Sequence, residues 1–212
     1  MTVLLVLCTF ILFLLIDYFM SRNKATAVFM AAHRETRPSL PALVNGFRFP
    51  ENLLYHPGHT WALGESPTLV RIGMDEFAAK LLGNIDSIKL PARNTWVKQG
   101  QKFATITRGD KTVDLISPIE GVVADVNEFA TIDPNGARKD SFGAGWLLTV
   151  QAPDRKVCFR NLFSGRLAKW WLEDAVARIH PALAQDGGEA MDDFVTLVGK
   201  DWEATAKEFL LN

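Results

Sequence analysis

From Leu53 to Val150 the chain is a succession of short strand-like runs broken by turn residues, a pattern that admits little but a mostly-β domain. Strand signals fall at Thr68–Ile72, Ile85–Leu90, Phe103–Thr107, Val113–Ser117, Val122–Val126 and Trp146–Val150. Two of these, Phe103–Thr107 and Val113–Ser117, face each other across Arg108–Thr112 and read as a hairpin. One helical insert interrupts the series, Asp75 to Leu82, with Asp75 placed to cap it. Asp133-Pro134-Asn135-Gly136 and Phe142-Gly143-Ala144-Gly145 read as turns.

The flanks differ. Thr2–Ile16 carries no charge, and with Asp17–Met20 it makes a run of 19 residues. A membrane span needs about 20 apolar residues. No Lys or Arg precedes the run, as a secretory leader requires, so residues 1–24 are expected to be a transmembrane anchor rather than a cleaved signal. Arg22, Lys24, Arg34 and Arg37 all follow it, which places the body on the cytoplasmic side as a single-pass protein. Residues 25–52 read as a juxtamembrane helix and linker, with Pro38, Pro41, Pro50 and Asn45-Gly46 as breakers. Residues 154–212 read as a helical C-terminal extension. Leu167, Trp170, Trp171, Leu172, Val176 and Ile179 recur at helical spacing, and Trp202, Ala206, Phe209 and Leu210 form a second stripe.

Charge and motifs exclude several functions. A net charge of -1, with no basic patch interleaved with aromatics, argues against nucleic acid. Cys8 and Cys158 are too few for a disulfide framework, and Cys158 reads as a small buried residue. His56-x2-His59 has no third His or Cys nearby, so no metal site is expected. Glu173-Asp174 and Asp192-Asp193 are adjacent pairs that point apart on a helix, and read as solvated surface. No nucleotide fingerprint or Ser-His-Asp arrangement is present. The protein is not expected to be an enzyme.

The order of short motifs is specific. It runs Tyr55-x3-His59-x-Trp61, Arg71-Ile72-Gly73, Phe77-Ala78-x2-Leu81-Leu82-Gly83-x-Ile85, Lys98-x-Gly100, Ser117-Pro118-x2-Gly121 and Gly143-x-Gly145-Trp146. This resembles the H protein of the glycine cleavage system, over residues 53–153. The resemblance implies a flattened lipoyl-type barrel, a barrel-sandwich hybrid of two half-units. It also implies partners among glycine-cleavage-type enzymes, and a hairpin-tip lysine that carries lipoate eight residues before the proline of the Ser-Pro pair. That place is Asp110 here, and Lys111 follows, seven residues before Pro118. The acidic residue three places earlier in the family is Thr107. The reading is therefore a membrane-anchored H-protein-like module without lipoate, which binds partner subunits through the tip residues Arg108, Gly109, Asp110 and Lys111. The alternative is a carrier lipoylated at Lys111, shuttling aminomethyl groups or electrons.

Overall fold

The computed structural model describes residues 42–179 and 202–211, and all of them fall within one compact unit that begins at Pro41. The expected anchor at 1–24, the helix to Glu35 and the Asp192-Asp193 pair lie outside the described residues. Among the described residues, no helix is long and apolar enough to cross a membrane.

Eleven strands are described. The first two, β1 (Ala42–Val44) and β2 (Phe47–Phe49), form an antiparallel hairpin in the segment read from sequence as linker. The physical reason is apolar: Val44, Phe47 and Phe49 are buried in the main core. Asn45 and Gly46 both take positive φ (46° and 79°), the backbone of a type I′ hairpin turn.

The main sheet runs in the order β3 (Leu54–His56), β4 (Thr60–Gly64), β5 (Leu69–Met74), β11 (Leu148–Gln151), β10 (Gly121–Val126), β7 (Trp96–Val97). A smaller sheet has the order β6 (Ser87–Lys89), β8 (Lys102–Arg108), β9 (Lys111–Ile116). Every pairing is antiparallel. The mostly-β expectation holds between Leu53 and Ala152. Among the described residues the hydrogen-bonded ladders do not close into a barrel; β7, at one edge of the main sheet, is 2 residues long.

Among the described residues six helices pack on this frame: α1 (Glu76–Leu82), α2 (Glu128–Ile132), α3 (Pro134–Lys139), α4 (Arg155–Phe159), α5 (Gly165–Ile179) and α6 (Trp202–Leu210). Asp75 caps α1 as expected, its carboxylate accepting from Ala78 N at 2.7 Å. The Asp133–Gly136 run is a correction. It starts α3 instead of making a free turn, because Asp133 accepts from Gly136 N and Pro134 occupies the first helical position. One apolar cluster joins both large sheets, α1, α5 and α6, with Trp61, Tyr55 and Phe77 among its largest members. Trp61 Nε1 donates to Met74 O and Ser141 O, so His59-x-Trp61 serves packing here.

Candidate functional site

The β8–β9 hairpin is tighter than its sequence suggested. Arg108 pairs with Lys111, so only Gly109 and Asp110 lie outside the ladder. Gly109 has φ +60° and Asp110 does not have positive φ, the pattern of a type II′ turn, which wants glycine first. The ladder fixes which way each tip residue faces. Ile106 pairs with Val113 and Ala104 with Leu115, and all four are buried. By two-residue alternation Arg108 and Lys111 continue that inner face. Both are half-buried, while Gly109 and Asp110 are exposed at the apex. The side chain of Lys111 makes no hydrogen bond or ion pair with the described residues.

The tip is held at two points. Gly109 N donates to Asp86 Oδ2 at 2.6 Å, just before β6. Arg108 Nη1 donates to Leu82 O at 3.2 Å, and its guanidinium carbon sits 4.9 Å from the Trp202 ring centroid. Trp202 opens α6, is 5% exposed, and donates its indole N–H to Leu81 O at 2.6 Å. Helix α6 lies against β9, the edge strand of the small sheet. Further down the hairpin, Asp114 accepts from Thr105 Oγ1 at 2.7 Å and pairs with Lys102 at 2.9 Å. Partial burial raises its pKa, but the bonds from Lys102 and Thr105 and the charges of Lys102 and Lys207 outweigh this and hold it below the ordinary carboxylate range.

Of the four tip residues singled out by sequence, the structure therefore brings Asp110 to the surface and commits Arg108 to the tail helix. The engagement of Arg108 by Trp202 spans 94 positions in sequence and had no local signal.

The two histidines do not converge on a common ligand. His56 Nδ1 accepts from Gly58 N at 3.0 Å, and burial, then the charge of His59, pushes the ring down to about 4. His59 is 1% exposed, has φ +56°, and bonds Asp75 Oδ2 at 2.8 Å through Nδ1. It stacks 4.1 Å from Phe77 and 4.5 Å from Trp171, which places it as a satisfied core histidine. Among the described residues no group of three or more His, Cys, Asp or Glu could hold a metal ion. Trp171 faces inward and Trp170 is 63% exposed, so the pair divides between core and surface. Cys158 is buried.

The described residues form a small antiparallel β domain with a tight, exposed β8–β9 hairpin. The family model described as Glycine cleavage H-protein matches residues 53–173. The glycine cleavage system H protein of Mycobacterium tuberculosis strain H37Rv is 32% identical over 108 residues, which are 51% of this chain and 81% of that protein. That of Prochlorococcus marinus strain NATL2A is 30% identical over 116 residues, 55% of this chain and 89% of that protein. A solved glycine cleavage system H protein from Mycobacterium marinum has 29% identity, covers 50% of this chain and 87% of that chain, and superposes with a TM-score of 0.47. The chain belongs to the glycine cleavage H-protein family. Helix α6 lies outside the residues matched by the family.

Proposed function

We propose that this protein is a non-lipoylated H-protein-like binding module, anchored in a membrane by residues 1–24 with its β domain in the cytoplasm. It is not itself an enzyme, and it docks on other protein subunits of a glycine-cleavage-type assembly through the hairpin apex. The six- and three-stranded sheets are read as the two walls of the flattened lipoyl-type barrel.

The observation that carries this reading is the register of the tip. The apex position belongs to Asp110, a carboxylate that cannot form the amide an acyl arm needs. The neighbouring amine, Lys111, is a strand residue on the same sheet face as buried Val113 and Leu115. A one-residue shift in a strand turns a side chain to the other face, so the amine cannot take the apex without breaking its pairing with Arg108. Gly109 and Asp110 offer a carboxylate and open backbone to a partner, and Arg108 braces them from behind.

The test is the intact mass of the full chain after co-expression with a lipoate ligase and added lipoate. Wild type is expected to stay unmodified, while Asp110→Lys gains one lipoyl group because the fold presents that position. A lipoyl group on wild type that disappears in Lys111→Ala overturns the reading, and makes the protein a carrier of aminomethyl groups or electrons.

A further inference from the structure

We infer that the outer face of the first two turns of α5 docks on an anionic membrane surface, an inference that rests on the membrane anchor proposed for residues 1–24. Helix α5 turns Ala168, Leu172, Ala175 and Val176 into the core. At about 100° per residue, Trp170 points almost directly away from them. It is 63% exposed, and Leu167, one turn earlier, is 54% exposed. Among the described residues Trp170 stacks on no other ring. Arg166 and Lys169 flank these two apolar side chains and are exposed. Their side chains make no hydrogen bond or ion pair with the described residues.

Folding alone does not account for this face. The first turn of a helix carries the positive end of its dipole and favours anionic side chains. In α5 that turn holds no acidic residue, and it does hold Arg166. The cation therefore opposes the dipole, while tryptophan and leucine stand in water instead of leaving it. An anionic surface with an apolar interior reverses both effects. It neutralises the cations and takes up the two apolar side chains.

The composition names the occupant. An indole seats at headgroup level in a bilayer, and neighbouring Lys and Arg meet anionic lipid on the cytoplasmic leaflet. The place of α5 in the fold agrees. It lies against β1, the first described strand, which itself carries Leu43, 68% exposed. Residues 21–41 join the apolar run to β1 and cannot span more than about 75 Å, whatever path they take. An anchored domain thus meets the bilayer at high effective concentration, and a weak contact suffices. Glu173 and the exposed Asp174 follow Trp170 by three and four positions, which limits the contact to the N-terminal end of α5.

The experiment reconstitutes the full chain into vesicles of brominated phosphatidylcholine, with or without phosphatidylserine. Flotation with neutral vesicles that survives alkaline carbonate reads the anchor by itself. Quenching of fluorescence that disappears in Trp170→Phe reads the face, because bromine must approach that indole. Wild type is expected to show Trp170-dependent quenching on anionic vesicles and little on neutral ones. Each Lys or Arg near an anionic leaflet strengthens the contact about fivefold, so Arg166→Gln/Lys169→Gln should weaken docking about 25-fold. All three side chains are exposed, so the variants are expected to melt as wild type does. Alkali-resistant flotation without Trp170-dependent quenching on either vesicle overturns this inference and leaves the anchor in place. Quenching equal on both vesicles and unchanged in the double variant also overturns it. Salt-reversible binding to anionic vesicles with Trp170-dependent quenching, but without alkali-resistant flotation, removes the anchor and supports the face. Neither flotation nor quenching overturns both.

Discussion

The contact between Arg108 and Trp202 decides how much of the hairpin tip is free to meet a partner, and its strength can be measured. The guanidinium carbon lies 4.9 Å from the indole centroid, well inside the range of a cation–π contact of about 6 Å. Exposed pairs of this kind contribute about 0.5–1 kcal/mol and desolvated ones about 2 kcal/mol. Trp202 is buried and Arg108 half-buried, so a coupling of about 1 kcal/mol is expected. Arg108→Met keeps the aliphatic stem and removes the charge. Trp202→Leu keeps apolar bulk and removes the ring. Trp202→Leu alone should cost about 3 kcal/mol or more, because it also leaves Leu81 O without its donor. Urea unfolding of wild type, the two single variants and the double variant closes the cycle. A coupling below about 0.3 kcal/mol, the scatter expected of independent sites, would refute the clamp. Arg108 would then be held at the tip by its bond to Leu82 O alone, and the part of the bracing assigned to α6 would fall.

Three further outcomes follow from the same geometry. His56 is neutral in the fold at about 4 and ordinary at 6.5 when unfolded, so its contribution is complete above pH 6.5 and is lost as pH falls from 6.5 towards 4. The ceiling is about 3 kcal/mol, reduced to about 2 by the part of the ring in water, and His56→Asn, which keeps an acceptor for Gly58 N, should flatten stability between pH 4.5 and 7 in urea titrations. The Asp114 carboxylate has its pKa depressed, so its smaller, solvent-screened contribution is complete above the ordinary carboxylate range and is lost as pH falls through and below it; Asp114→Asn should therefore reduce stability at neutral pH and progressively less as the solution is acidified. Gly109→Ala meets no atom within 4 Å and carries only the strain of φ +60°, about 1 kcal/mol or a drop of about 2–4 °C in Tm, whereas Gly145→Ala drives its Cβ to 1.9 Å from Ala137 O and should cost 3 kcal/mol or more. Equal losses in the two glycine variants would show that the tip is packed against something else.

What the sequence made legible follows from which forces are local. The strands at Leu69–Met74, Lys102–Arg108 and Lys111–Ile116 were readable because β-branched and aromatic residues alternate there between turn signals. The β1–β2 hairpin was hidden by its prolines, although Asn45-Gly46 between Leu43-Val44 and Phe47 carried a hairpin signal that outweighed them. Asp133-Pro134-Asn135-Gly136 was ambiguous because the same residues make turns and start helices. At the tip, the motif spacing identified the hairpin, but only the ladder register could say that Lys111 is a strand residue and Asp110 the apex. The bond from Asp86 and the ring of Trp202 come from distant segments, and no window of sequence contains both ends of either contact.

These tethers bear on what the tip can do. A carrier needs an amine on a protruding turn with freedom for its arm to travel. This tip puts a carboxylate at its apex, ties Gly109 to Asp86, and stacks Arg108 on a helix that lies outside the family match. The losses that matter to a swinging arm are gains for a docking surface, because a tip already fixed gives up less conformational entropy when it binds. The proposed docking reading then constrains the partner. With Arg108 turned toward α6, the charge offered outward is that of Asp110, so the complementary surface presents a cation or a cluster of N–H donors. Such a rim charge acts mainly on the association rate and its salt dependence. Asp110→Asn should slow association severalfold at low salt, leave dissociation nearly unchanged, and lose its effect as ionic strength approaches 1 M, where the Debye length is about 3 Å. An effect confined to the dissociation rate, and insensitive to salt, would mean that Asp110 is buried on binding and that the partner recognises the turn itself.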